Sequence, residues 1–305
     1  MKMLIVGAGA TGGILGAHLA RAGRDVTFLV REKRAAQLAQ DGLRILSPNG
    51  DIELVPQAVT KNNIQGPFDI VLLAVKAYTI GAALEDMAAA VGPDTVILPL
   101  LNGMRHMDLI TERFGKHHLL GCVCKVATTL DDQGRIVQQG TFFDLSYGEL
   151  DGSDSARLGQ VHEFFSDAQF NAKTSPVIHR EMWEKWVLLA SMGSINCLMR
   201  GSIGDVIAAQ GGPDCANGII DEVVAIVRAV GIEPSEAFLG EARRLLTLEG
   251  SQQTSSMYRD LVAGRPIEAE QIVGDLLARA SIKGIDAPLL GLAYTNLQIY
   301  QSKLT

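Results

Sequence analysis

The chain has 305 residues, enough for two domains with cores of their own, and 47% hydrophobic with 20% charged residues is a balance that excludes extensive disorder. A net charge of −7 without clustered Lys and Arg excludes nucleic acid as a partner. No apolar run reaches membrane-spanning length and the first residues already read as a strand, so a cytoplasmic protein with no signal peptide and no membrane anchor is expected.

Met3-Leu4-Ile5-Val6 is an apolar run suited to a buried strand, and Gly7-Ala8-Gly9-Ala10-Thr11-Gly12 then opens a helix-forming segment. Gly23 ends that helix before a second strand over Asp25 to Val30. The G-x-G-x-x-G spacing thus stands in the strand–turn–helix setting that a dinucleotide requires. Gly7 allows the tight turn, Gly9 lets the backbone approach a pyrophosphate, and Gly12 lets helix and strand pack closely. Ala8, Ala10 and Thr11 complete the loop, and the anion is expected at the helix N-terminus, where unpaired N–H groups and the positive dipole end favour it. Arg31 follows the second strand where the adenosine ribose should arrive. Val30 cannot bond a ribose hydroxyl as an acidic residue would, whereas the Arg31 fork suits a 2′-phosphate, so NADP (NADPH) is the expected cofactor, Glu32 being the one neighbour that counts against it.

Strand and helix patterns alternate through the first half, as an open parallel sheet demands. Glu32 to Gln40 reads as a short helix, Leu43 to Leu46 and Ile52 to Val59 as a hairpin, Asp69 to Val75 as a buried strand, Ala82 to Val91 as a helix and Thr95 to Leu101 as a strand. Two strands end in polar residues, Lys76 and Asn102, which by position should look into a cofactor crevice, although a solvated cap and a plain Asn-Gly turn fit as well. Leu119 to Glu149 reads as short strands extending the far edge of the sheet, and Leu158 to Ala168 as one more helix. Cys122, Cys124, Cys197 and Cys215 form no zinc or redox spacing, so reduced thiols and no metal site are expected.

Beyond Pro176 helical periodicity takes over, with segments from about 178 to 199, 214 to 230, 234 to 246, 268 to 283 and 288 to 300. The expected architecture is α/β, a Rossmann-type doubly wound sheet domain over 1–174 followed by an all-helical domain over 175–305. The long helix carries Trp183-Glu184-Lys185-Trp186. A lysine ammonium can polarise a carbonyl and protonate the alkoxide that hydride addition creates, and burial lowers its pKa toward the useful range. The residue type alone fits a surface lysine paired with Glu181 equally well. Ser256 is placed to hold a carboxylate and Glu268 to orient the lysine; a helix N-cap and a first-turn acidic residue describe the same two positions.

Taken together, Gly7-x-Gly9-x-x-Gly12, Arg31, Lys76, Asn102-Gly103-Met104, Trp183-x-Lys185, Ser255-Ser256-Met257 and Glu268 resemble the ketopantoate reductase (2-dehydropantoate 2-reductase) family over nearly the whole chain. The resemblance implies NADPH-dependent reduction of 2-dehydropantoate to (R)-pantoate, on the route to pantothenate and coenzyme A. It implies Lys185 as general acid with Glu268 in support, and Ser256 at the substrate, whose ketone oxygen is then expected between Lys185 and Asn102. It also implies Lys76 and Asn102 beside the nicotinamide and Arg31 on the 2′-phosphate. Leu189, Gly193 and Ile203 stand where the family carries asparagines, and Asn196, about three turns after Lys185, could restore part of that polarity. The first expectation is therefore reduction of a small branched 2-oxo acid, ketopantoate foremost. The alternatives are a D-2-hydroxyacid dehydrogenase acting on other branched 2-oxo acids and a non-catalytic NADP-binding redox sensor. The expected partners are the small-molecule substrate and, at most, a second copy of the chain in a homodimer.

Overall fold

Strand β1 (Lys2–Val6) is buried along nearly its whole length, as befits the middle of a parallel sheet covered on both faces. The computed structural model describes residues 1–304 and divides into two compact units. One comprises Met1–Leu101 and His106–His179, the other Asn102–Arg105 and the chain from Arg180 onward. The second begins slightly later than the expected boundary after residue 174, and it includes the four residues that follow Leu101. No helix among the described residues is long and apolar enough to cross a membrane.

In the first unit β1 leads through α1 (Ala10–Arg21) to β2 (Asp25–Leu29) and α2 (Glu32–Asp41). β3 (Leu43–Leu46), β4 (Ile52–Leu54), β5 (Gln57–Val59), β6 (Ile70–Leu73), α3 (Ile80–Asp86) and β7 (Val96–Pro99) follow. The strand order β5-β2-β1-β6-β7 is parallel throughout, and the chain leaves β1 toward one side and returns on the other. That reversal opens a crevice at the carboxyl end of β1, where the glycine-rich turn lies.

After α4 (Arg105–Phe114), β8 (Gly121–Leu130), β9 (Ile136–Gly148), α5 (Ala156–Phe165) and β10 (Asn171–Thr174) build a second sheet of order β10-β9-β3-β4, with β8 beside β9. The strands expected to extend the first sheet therefore do not do so; an isolated parallel bridge pairs Ile97 of β7 with Leu119, just ahead of β8. The long β9 is the reason. Its start pairs with β3 through Ile136 and Val137, and its end pairs with β10 through Asp144 to Tyr147, leaving its other edge to β8. The expected strand from Ile52 to Val59 is also divided. Pro56 lacks the N–H a ladder needs, so β4 stays with β3 and β5 crosses to β2.

The second unit is helical: α6 (Ile178–Met199), α7 (Ile203–Ala208), α8 (Gly212–Val230), α9 (Glu236–Leu246), α10 (Ser256–Val262), α11 (Asp275–Ile282) and α12 (Pro288–Ser302). α8 buries Ile219, Ile220, Val223, Ile226 and Val227 and is flanked by α7, α9, α11 and α12. Its Glu222 carboxylate accepts from Leu289 N at 3.0 Å and Leu290 N at 2.8 Å, capping α12. A π-helical turn over Glu270–Gly274 runs into α11.

Candidate functional site

At the end of β1, Gly7 adopts φ +101° and donates its N–H to Leu29 O at 3.0 Å, tying the turn to β2. A Cβ on Gly12 would lie 2.3 Å from Gly7 O and 2.7 Å from the Ala74 Cβ, so only glycine lets α1 sit this close to the sheet. Gly9 is the opposite case: no heavy atom of the described residues comes within 4 Å of its Cβ position. It is the N-cap of α1, and the helix starts with no side-chain cap and no acidic residue in its first turn. The N–H groups of Ala10 and Thr11 thus begin a helix beside uncovered backbone, a cradle that fits a dinucleotide pyrophosphate.

Arg31 is the exposed N-cap residue of α2 and, among the described residues, forms no ion pair, with Glu32 or otherwise. Lys76 follows β6 and is exposed, its carbonyl accepting from Thr79 N at 2.9 Å. Sequence reasoning missed Arg34, one turn beyond Arg31. Its Nη2 donates to Ala8 O at 3.0 Å, and its Nη1 to Gln37 Oε1 at 2.8 Å and Gly134 O at 3.4 Å. Arg34 therefore holds the glycine-rich turn from outside, and burial lowers its pKa. The i, i+3 spacing of two arginines was the available signal.

Asn102 belongs to the helical unit. Gly103, at φ +79°, approaches Gln271 so closely that a Cβ would lie 2.4 Å from its carbonyl oxygen, and this turn delivers Asn102 Nδ2 to Glu268 Oε2 at 3.5 Å. Glu268 is 7% exposed. Lys185 is half-buried on α6. Its neighbour Trp186 donates Nε1–H to Ile272 O at 2.8 Å, and the Arg279 guanidinium lies 5.7 Å from the Trp186 ring centre. The π-turn shifts the hydrogen-bond ladder here, and the Trp186 bond ties the helix bearing Lys185 to the segment that begins at Glu268. Next along the same turn, Glu270 accepts from Arg105 at 3.5 Å and from the Tyr294 hydroxyl. Burial first, and then the Glu270 carboxylate, push Tyr294 up to about 12, so it remains a donor.

Ser255, not Ser256, caps α10, accepting from Tyr258 N at 3.1 Å. The Ser256 hydroxyl takes no part in the cap and is half-buried. Asn196 is completely buried, and its amide is committed to the scaffold. Oδ1 accepts from Ser255 N at 2.8 Å, and Nδ2 donates to Gly201 O at 2.9 Å. In place of the expected position at the substrate, Asn196 thus serves the scaffold, satisfying the buried Ser255 N and bonding the part-buried Gly201 O. Ile203 is also fully buried, in the first turn of α7.

The first unit thus carries a glycine-rich turn that opens a helix, and the second carries a hydrogen-bonded Asn102–Glu268 pair. The family model described as ketopantoate reductase PanE/ApbA matches residues 3–152, and its C-terminal counterpart matches residues 177–301. The chain belongs to the ketopantoate reductase family of oxidoreductases. A Bacillus subtilis protein named "Uncharacterized oxidoreductase YkpB" is 34% identical over 99% of this chain and 100% of its own. A 2-dehydropantoate 2-reductase from Streptococcus pyogenes serotype M3 is 27% identical over 94% of each chain. The crystal structure of 2-dehydropantoate 2-reductase from Geobacter metallireducens superposes with a TM-score of 0.86 at 27% identity, covering 98% of this chain and 99% of that one.

Proposed function

We propose that the protein reduces the ketone of a small branched 2-oxo acid with NADPH, 2-dehydropantoate being the first compound to test. The observation that carries the reading is the gathering of Asn102, Glu268 and the Lys185 helix around one π-turn. Supporting the cofactor, Gly9 and the open start of α1 leave backbone N–H groups for the pyrophosphate. Arg31, exposed and outside any ion pair among the described residues, is available for the 2′-phosphate. Lys76 completes the cofactor set. NADPH, when bound, supplies the hydride.

The chain's own residues supply the rest. Ser256 donates its hydroxyl to the substrate carboxylate. The Lys185 ammonium bonds the ketone oxygen, stabilises the negative charge that grows there as carbon is reduced, and transfers its proton to give the 2-hydroxy acid. Asn102 and Glu268 fix the lysine's approach, Glu268 as a buried acceptor and Asn102 by holding that carboxylate in place. The test is NADPH consumption with 2-dehydropantoate and other branched 2-oxo acids. Stoichiometric formation of the 2-hydroxy acid supports the reading, and NADPH binding without turnover of any of them refutes it.

A further inference from the structure

Past Lys185, the following turns of α6 present Leu189 and Met192, both half-buried, and then Gly193. A Cβ at Gly193 would lie 2.6 Å from the Met257 Cε, so a side chain there would have to displace that methyl, and Met257 is only 3% exposed. The thioether methyl therefore covers the strip of helix that Gly193 leaves bare. Two polar groups of the same helix, Ser194 and Asn196, are placed elsewhere. Ser191 and Ser194 are fully buried with hydroxyls that have no partner among the described residues. At about 100° per residue, Ser194 stands on the side of α6 opposite Lys185. The Asn196 amide is held by Ser255 and Gly201. Toward the N-terminus the Lys185 face carries Glu181, an unfavourable neighbour for an anionic substrate, whereas Ser256 adjoins Met257 at the other end.

From these positions we infer that the substrate is a 2-oxo acid whose branched side chain is wholly apolar, lying along Leu189, Met192 and Met257, with Met257 setting the depth of that wall. The inference rests on the roles given above to Lys185 and Ser256. A substrate hydroxyl placed on this strip would lose water and gain no hydrogen bond, and such a surface disfavours an added hydroxyl by up to ~10²-fold. Methionine suits the place because its unbranched thioether adapts to gaps left by a missing side chain.

The test uses two acids with one carbon skeleton, 3,3-dimethyl-2-oxobutanoate and its 4-hydroxy derivative 2-dehydropantoate, each with NADPH and the full-length enzyme. The unhydroxylated acid should have the higher kcat/KM, by ~3-fold to ~100-fold. Leu189→Asn should move that ratio toward the hydroxylated acid by at least ~10-fold, because the wall then offers a hydrogen bond. Met257→Ala should raise kcat/KM for 4-methyl-2-oxopentanoate relative to 3-methyl-2-oxobutanoate by ~10-fold, the value of about one methylene of added depth. Preference of the wild type for the hydroxylated acid overturns the apolar wall while leaving 2-oxo acid reduction in place. Absence of turnover with every acid in the set overturns the underlying reading, and the inference with it.

Discussion

Removing the Arg31 side chain tests the proposed basis of cofactor choice. Arg31→Ala leaves the fold of α2 intact, because the helix uses only the Arg31 carbonyl, which accepts from Arg34 N and Ala35 N at 2.9 Å each. The guanidinium is exposed and has no ion pair among the described residues, so no carboxylate is orphaned by its loss. A hydrogen bond to a charged group contributes about 1.5–3 kcal/mol, and the exposure of Arg31 favours the lower end of that range. At about 1.4 kcal/mol per factor of ten, NADPH should bind ~10-fold to ~150-fold more weakly to the variant. NADH has no 2′-phosphate and should be nearly unaffected. Calorimetric titration of both nucleotides into both proteins measures the difference directly. Raising salt from low to moderate ionic strength should shrink the wild-type preference, since an exposed charge pair is screened. Equal weakening of NADPH and NADH, or no weakening of either, would refute the assignment of Arg31.

Lys185→Ala should lower kcat by ~10²-fold to ~10⁴-fold with the NADPH dissociation constant unchanged, since proton donation is lost and the nucleotide cradle is not touched; near-normal turnover would return Lys185 to an ordinary helix position. Asn196→Ala strands the buried Ser255 N and removes the donor to the part-buried Gly201 O, and should cost about 1–3 kcal/mol in denaturant unfolding while the substrate preference is kept. A loss of preference without a loss of stability would place Asn196 at the substrate after all. Burial, aided by Arg21, lowers the pKa of His18, whose Nδ1 has no partner among the described residues and whose ring meets the edges of Phe143 and Phe170. The unfolded chain binds that proton more readily, so the contribution is complete above about pH 6.5 and is lost as pH falls below it. His179 shifts the same way, by burial and then Lys116. The unfolding midpoint should therefore fall between about pH 7.5 and 5.5, and His18→Leu should flatten the fall; an equally steep fall in the variant would contradict this.

The nucleotide turn was legible because its signals are local. Three glycines at fixed offsets and an apolar run specify strand, turn and helix within a dozen residues. Long α6 was legible because helix-forming residues run without a proline from Ile178 to Met199. Strand partners were not, since alternation marks a strand without naming its neighbour, and β3 pairing with β9 spans about ninety residues of chain. That Asn102 follows a strand was legible, whereas the close approach of the following Gly103 to Gln271 is a contact no local pattern encodes. The choice between adjacent serines was equally silent. Either can cap a helix, and only the extended backbone of Ser255, φ −70° and ψ 156°, assigns the cap to it and leaves Ser256 outside. Neither the π-turn after Ala269 nor the filling of Gly193's empty place by Met257 has a sequence signature.

The most direct test of the whole account is the rate of NADPH oxidation by the wild type with branched 2-oxo acids, measured beside Lys185→Ala. The account predicts that the wild type converts at least one such acid to its 2-hydroxy acid, one NADPH for each molecule, and that the variant binds NADPH equally well but turns over at least ~10²-fold more slowly. Tight NADPH binding by both proteins with no acid consumed by either would contradict it, and would make the fold a nucleotide sensor instead of a reductase.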